Sequence, residues 1–265
     1  MAPTYLDDIV AYHRARVGDD DREWRERLAT VRYEGPAMIN ALSAGVDANI
    51  KVIAEVKRRS PSKGWIDEHL DAASLAHAYE QGGAAAVSVL TDEANFSGSL
   101  ADFAQVKGSV TVPLLRKDFT LSANDVLDTA AMGASTVLLI VAALSDAELV
   151  LFSDVASTCG LDALVEVHDS EELRRALDLG ARLVGINQRD LRTFEVSFER
   201  AASLVSSLPV GVTSVLESGL TTRSDVEEAA NAGFDAVLVG ETFVRSPTPQ
   251  STVRSFASVP KAPRG

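Results

Sequence analysis

Cysteine is nearly absent. Cys159 is the only one in 265 residues, so no disulfide can form within the chain, and a reducing compartment is expected. Its neighbours Ser157, Thr158 and Gly160 read as the end of a helix, and the thiol is expected to be a small buried hydrophobe. No His/Cys cluster accompanies His168, which excludes a zinc-type ligand set there. Aromatic residues make up 6% of the chain against 46% hydrophobic, so a sizeable core must be built mainly from aliphatic side chains. Basic residues are outnumbered, and the net charge of −13 argues against nucleic acid or an anionic membrane as partner. Any anionic substrate must then be held by a local group of cations. Long apolar runs are missing too: Val137 to Leu144 is the longest and is too short to span a bilayer. The start, Met1-Ala2-Pro3-Thr4, lacks a basic stretch followed by an apolar one, so no secretory signal is expected and the protein is placed in the cytoplasm.

The chain does carry a repeated pattern. The first fifty residues read as a helical extension: Leu6, Ile9, Val10 and Tyr12 form one apolar face, Trp24, Leu28 and Val31 mark a second helix, and Ala37 to Ala44 a short third. This extension, 1–50, is expected to pack on the open end or the bottom of the domain that begins at Lys51. From Lys51 a β-branched run, a loop and a helix-period segment recur, with strands starting near Lys51, Ala85, Pro113, Thr136, Asp162, Arg182, Val212 and Asp235. The helices between them close on Gly82-Gly83, Gly133, Gly160, Gly180 and Gly233, as left-handed C′ residues do. Ser145-Asp146-Ala147-Glu148 is a capping box. Alternating strands and helices imply parallel pairing with right-handed crossovers. Eight units over 51–259 predict the α/β class and a (β/α)8 TIM barrel. A doubly wound open sheet is the alternative, but its usual glycine-rich first turn has no counterpart here. The tail, 260–265, is expected to be disordered.

Active sites of such barrels are built from the C-terminal ends of strands. Val52-Ile53-Ala54 runs into Glu55 and Lys57, which share one face of the first strand because side chains alternate with period two. An acid and an ammonium on the inner face of a buried parallel strand cost free energy, so a site explains them better than a self-satisfied ion pair. The other strand ends carry Lys117, Glu166, Asn187, Glu217 and Glu241. Acids and ammoniums confined in one mouth shift each other's pKa, as acid–base chemistry requires. The loops Glu217-Ser218-Gly219-Leu220 and Gly240-Glu241-Thr242 come after strands seven and eight, where barrels frequently bind phosphate, and glycine lets backbone N–H groups approach it closely. Ser60 and Lys57 complete that cradle. His168 sits on the Glu166 face and is given a structural or supporting role. Trp65 either packs on an aromatic substrate or caps the barrel, Trp24 is assigned to the core, and Asp92 and Glu93 read as solvated loop residues.

These segments resemble the indole-3-glycerol phosphate synthase family from the first helix nearly to the end. The shared motifs are Ile53-Ala54-Glu55-Val56-Lys57 with Ser60 to Gly64, and Ser88 to Asp92 with Phe96 and Gly98-Ser99. They continue with Leu115 to Phe119, Leu164 to His168, Gly185-Ile186-Asn187 with Arg189-Asp190-Leu191, Glu217-Ser218-Gly219 and Val239-Gly240-Glu241. The resemblance implies closure of an indole ring on 1-(2-carboxyphenylamino)-1-deoxyribulose 5-phosphate, with loss of CO₂ and water. It makes Lys117 the general acid and Glu166 the base, with Lys57 holding the substrate anion under the influence of Glu55. Asn187 and Glu217 position polar groups. Ser60, Ser218, Gly219, Gly240 and Glu241 fall on the phosphate side, Arg189 contacts an anion, and Phe96 belongs to the aryl end. No metal or organic cofactor is implied, and the protein is expected to act as a monomer on a small phosphorylated aryl-amino sugar. The chain departs from the family pattern at Asn95, where an aromatic is usual, at Ser97, at Val126 to Ala131 and at Arg59. Two other readings stand beside this one. A phosphoribosylanthranilate isomerase would use a Cys–Asp pair, which Glu55 and Lys57 fit poorly. A non-catalytic phosphate-binding paralogue is opposed by the intact Lys57, Lys117, Glu166 and Asn187.

Overall fold

A computed structural model describes residues 4–43, 49–60, 63–190 and 195–262. Three helices precede the barrel: α1 (Tyr5–Gly18), α2 (Trp24–Leu28) and α3 (Met38–Leu42). Eight parallel strands come next: β1 (Lys51–Val56), β2 (Ala86–Leu90), β3 (Leu114–Lys117), β4 (Thr136–Ile140), β5 (Asp162–Val167), β6 (Leu183–Asn187), β7 (Thr213–Glu217) and β8 (Ala236–Val239). Each pairs with the next, and β8 closes on β1 through Lys51↔Ala236 to Ala54↔Val239. The fold is the expected (β/α)8 barrel. β2, β4, β6, β7 and β8 are buried at every position, which is why they read as near-continuous Val, Leu, Ile and Ala.

The outer ring is α4 (Ala72–Gly82), α6 (Leu100–Ser109), α7 (Ala123–Met132), α8 (Asp146–Cys159), α9 (Ser170–Asp178), α10 (Phe198–Ser206), α11 (Arg223–Asn231) and α13 (Pro249–Ala257). Two single-turn helices, α5 (Glu93–Phe96) and α12 (Glu241–Val244), sit in the loops after β2 and β8. The capping box at Ser145 and Glu148 forms with both of its arms. Gly160 ends α8 at φ +79°, and a Cβ there would lie 2.7 Å from the Tyr33 carbonyl oxygen, so both conformation and the close approach of the extension call for glycine. Cys159 is buried at that helix end, as expected.

The extension covers both ends of the barrel. Leu6, Ile9 and His13 form the buried face of α1, at i, i+3 and i+7. Tyr12, expected on that face, is 54% exposed instead, because the helical stripe continues at position 13 rather than 12. The chain then descends the outside. Arg27 donates to Asn124 at 2.7 Å and to Asp128 at 2.5 Å, and Arg22 reaches Asp128 at 2.9 Å, so the atypical Asp128 is the anchor for α2. At the bottom, Tyr33 N–H donates to Cys159 O at 2.7 Å and Ile39 N–H to Asp162 Oδ2 at 2.9 Å. α3 ends at Leu42, and Ala44, expected to close it, lies outside the described residues. The tail differs from expectation through residue 262. Pro260 bridges Asn49, Lys261 pairs with Asp235, and Ala262 N–H reaches Ala230 O at 3.4 Å, so backbone pairing and an ion pair hold it to the barrel floor. Residues 263–265 of that tail lie outside the described residues.

Candidate active site

At the C-terminal end of the strands lies a cavity of about 360 Å³. Every residue assigned above to catalysis or binding borders it: Glu55, Lys57, Ser60, Phe96, Lys117, Glu166, Asn187, Arg189, Glu217, Ser218, Gly219, Gly240 and Glu241. Leu191, the end of one family motif, lies outside the described residues.

Strand geometry aims the central lysine. Lys117 ends β3 pointing inward, while Arg116 and Asp118 on either side point outward and pair at 2.9 Å. Arg116 also reaches Thr91 Oγ1 at 3.2 Å and the Asp125 carbonyl at 3.2 Å, which ties the end of β3 to β2 and α7. Inside, Lys117 Nζ lies 2.6 Å from Glu166 Oε2 and 3.1 Å from Glu217 Oε2. Glu166 Oε1 accepts from Asn187 Nδ2 at 3.1 Å, and Asn187 Oδ1 accepts from Ser218 Oγ at 2.8 Å and from Arg189 N–H at 3.1 Å. Ends of β3, β5, β6 and β7 are thus joined in one hydrogen-bonded chain. Across the mouth, Lys57 pairs with Glu55, and both lie against Gly240, where a Cβ would stand 2.5 Å from Glu55 Oε1.

The electrostatics arise from burial and charge. Burial opposes the Lys117 charge, but the carboxylates of Glu166, Glu217 and Glu55 outweigh it and hold the ammonium protonated well above its ordinary range. Burial would raise Glu166, yet Lys117 and His168 keep its carboxyl well below the usual range. Glu217 goes the other way: burial, reinforced by the Glu166 charge, pushes it up to about 7 despite Lys117. Two neighbouring carboxyls around one ammonium therefore hold their protons differently, one anionic and one titrating near neutrality.

Where the sequence places a phosphate, Ser218 and Gly219 are successive left-handed residues at φ +69° and +71°, and both border the cavity. Lys63 and Arg245 add cations and pair with Glu241 at 3.3 Å and 3.0 Å. Burial works against the Glu241 charge, but these partners hold its carboxyl below the usual range, so its side chain is committed to them. Arg245 escaped sequence reasoning, since it lies a full turn past the β8 end.

The opposite wall is apolar, with Tyr5, Leu6 and Ile9 from α1 and Phe96 and Phe119 from the loops after β2 and β3. Here Asp92 corrects expectation. It is buried rather than solvated, caps α5 through Asn95 N–H at 3.0 Å, and meets His13 Nε2 at 3.3 Å. An Asx cap opening a single-turn helix is a sequence signal that points to it. His13, also missed, stacks on Phe119 at 5.3 Å between ring centroids. Trp65 is 49% exposed in a hairpin pairing Arg59–Ser60 with Gly64–Trp65, away from the cavity lining. Trp24 is half-buried under Arg25 rather than deep in the core. Among the described residues, His13, Asp92 and Asp118 have ligand spacing, within 4.8 Å of one another. Asp118 is committed to Arg116, Thr91 Oγ1 and the Phe119 N–H, and the adjacent guanidinium opposes a second cation, so the group is a structural tie.

Comparison with known proteins agrees with this geometry. The family model of indole-3-glycerol phosphate synthase matches residues 6–256. An indole-3-glycerol phosphate synthase of Parafrankia sp. is 46% identical over 254 residues, covering 96% of this chain and 95% of that protein. One from Micrococcus luteus is 49% identical over 209 residues, 79% of this chain and 78% of the other. Among solved structures, thiamine phosphate pyrophosphorylase from Pyrococcus furiosus superposes with a TM-score of 0.59 at 17% identity, covering 78% of this chain and 93% of that one, a likeness of fold alone. No helix among the described residues is long and apolar enough to cross a membrane.

Proposed function

We propose how the site works from the premise that this chain belongs to the indole-3-glycerol phosphate synthase family. It is a carbon–carbon lyase of tryptophan biosynthesis, which closes the indole ring of 1-(2-carboxyphenylamino)-1-deoxyribulose 5-phosphate with loss of CO₂ and water. The observation that carries the residue roles is the buried ammonium of Lys117 between Glu166 and Glu217.

The aryl group lies against α1, Phe96 and Phe119, and the phosphate against Ser60, Ser218, Gly219 and the Gly240–Glu241 backbone. Lys57 and Arg189 hold the anionic groups. This brings the ring carbon that bears the carboxylate to the ketone carbon, where proximity alone removes much of the barrier. A carbon–carbon bond forms there, and the carbonyl electrons move to oxygen, which takes a proton from Lys117. The bond to the carboxylate then breaks, CO₂ leaves, and its electron pair restores the aromatic ring. Finally the new hydroxyl leaves as water with a proton from Lys57, while Glu166 removes a proton from the carbon beside nitrogen. Two protons are given and one recovered, so one is taken up overall. Asn187 orients Glu166, and Glu217, titrating near neutrality, can donate or accept a hydrogen bond at the substrate's polar groups. Acting on a small substrate, the enzyme works as a cytoplasmic monomer without nucleic acid.

The test monitors product by indole fluorescence. The wild-type chain converts substrate, and Lys117→Met loses on the order of 10²- to 10⁴-fold in rate, the contribution of a positioned acid. Full activity of that variant would remove Lys117 from the role. No product from wild-type protein, beside a working control, would favour the phosphate-binding paralogue. Size-exclusion chromatography checks the monomer.

A further inference from the structure

Glu166 is only 1% exposed, and its carboxylate lies against an ammonium in the resting site. When Lys117 turns to the substrate's carbonyl oxygen, that partner is withdrawn. A carboxylate so deeply buried, left with only the neutral amide of Asn187, takes up a proton and ceases to be a base. Another group must hold its charge through the step.

His168 lies two residues beyond Glu166 on the same face of the chain leaving β5, and its Nε2 stands 3.4 Å from Glu166 Oε1. That nitrogen is buried and has no aligned hydrogen bond among the described residues. The other side of the ring is anchored: Glu172 Oε2, in the first turn of α9, accepts from the His168 backbone N–H at 2.8 Å and faces Nδ1 at 2.9 Å. The anchor decides the protonation state. Once Nδ1 gives its hydrogen to Glu172, a neutral ring would turn the Nε2 lone pair against a carboxylate oxygen. Only the doubly protonated ring offers a donor to both acids.

We propose that His168 is the positioning residue for Glu166, an imidazolium fixed by Glu172 that keeps the base ionised while Lys117 is engaged with substrate. This rests on the reading of Glu166 as the base. The groups that face the ring are Glu166 from β5 and Glu172 from α9, and those that face Glu166 besides it are Lys117 from β3 and Asn187 from β6. Although burial disfavours the charged ring, those two carboxylates push His168 up to about 10. The misaligned 3.4 Å contact leaves Nε2 able to tighten onto Oε1 when the ammonium departs.

Nitrogen-15 NMR of the full chain reads the ring directly, because only four histidines occur and His168→Gln assigns the signal. Both ring nitrogens of His168 are expected to be protonated at about pH 8.5, and a neutral tautomer there overturns the proposal. In His168→Gln, the acid limb of the kcat–pH profile moves upward by about one unit or more, since an opposite charge at this range lowers a carboxyl by roughly 1–3 units. KM changes little, and an unmoved limb overturns the proposal. Should His168→Gln fail to fold, Glu172→Gln keeps the imidazole and removes one carboxylate. It must lower the ring's titration by about one unit or more, and an unshifted ring refutes the anchor. Glu166→Gln separates the two levels. If it stays active, the base assignment fails; if it is inactive while His168→Gln keeps a wild-type profile, only the role of His168 fails.

Discussion

Replacing Gly185 with alanine adds one methyl group in the middle of β6 and removes nothing. The new Cβ would stand 2.2 Å from Glu217 Oε1 and 3.3 Å from its Cδ. Ordinary contact begins near 3.4 Å, so the carboxylate must retreat by about 1 Å. It has little room: Glu217 is 2% exposed, its Oε2 is held by Lys117 at 3.1 Å, and the Leu164 Cδ1 lies 3.4 Å from the same added carbon. The retreat therefore pulls the acid off Lys117 or tilts both. A displacement of about 1 Å at an acid–base group costs on the order of 10²-fold in rate, or ~2.7 kcal/mol of barrier. Overpacking costs a further 1–3 kcal/mol or so of stability, with a fall in Tm of about 2–4 °C per kcal/mol for a chain of this size. Indole fluorescence gives kcat and a circular-dichroism melt gives Tm. Gly108→Ala is the control, since its Cβ in α6 meets nothing within 4 Å, and it should gain about 0.5–1 kcal/mol with kcat unchanged. Gly185→Ala with kcat within about twofold of wild type would refute the claim that Lys117 needs Glu217 where it is.

The same geometry yields two further outcomes. Glu217 and His168 both titrate higher in the folded state than unfolded, so each stabilises the fold below its unfolded pKa and loses that contribution as pH rises. The windows are about 4.5 to 7 for Glu217 and about 6.5 to 10 for His168, the latter worth on the order of 5 kcal/mol in full, and urea midpoints across pH should fall through both. In His168→Gln the upper slope should vanish, and its persistence would assign it to another group. His13→Ala removes the tie between α1 and Asp92 and the stack on Phe119, so KM should rise by more than kcat falls, because α1 supplies the apolar wall and none of the acid–base groups. A loss confined to kcat would contradict that division.

Much of the site could be read without coordinates, and particular residues show why. Glu55, Lys57, Lys117, Glu166 and Glu217 stand out because buried parallel strands are otherwise aliphatic, so a charge at a strand end is conspicuous in one dimension. His13 and Arg245 were not legible, and of Asp92 only the helix cap was. Each lies in a helix or loop where polar residues are ordinary, and each joins the site through contacts a linear reading does not show: Asp92 and His13 through each other, and Arg245 through Glu241, which Lys63 also reaches from far along the chain. Tyr12 reads as part of the buried face of α1, yet the stripe through Leu6 and Ile9 continues at i+7 to His13, which leaves Tyr12 off its edge and exposed. The tail to Ala262 reads as disordered by composition, yet its pairing with Asn49 and Asp235 is a long-range contact that composition does not carry.

By itself the sequence determined the eight-unit rhythm, the parallel pairing it forces, and the residue types delivered to one rim, because periods of two and 3.6 and left-handed glycines are local properties of the chain. Tertiary structure alone decided which of those groups meet. Closure of β8 on β1 brings Gly240 against the Glu55–Lys57 pair, and the curvature of the barrel sets Lys117 between two acids that lie 49 and 100 residues away. Protonation was settled at the same level. Glu166 and Glu217 are the same residue type at equivalent strand ends, yet one is held anionic and the other pushed up to about 7, because burial and the order of neighbouring charges exist only once the barrel has closed.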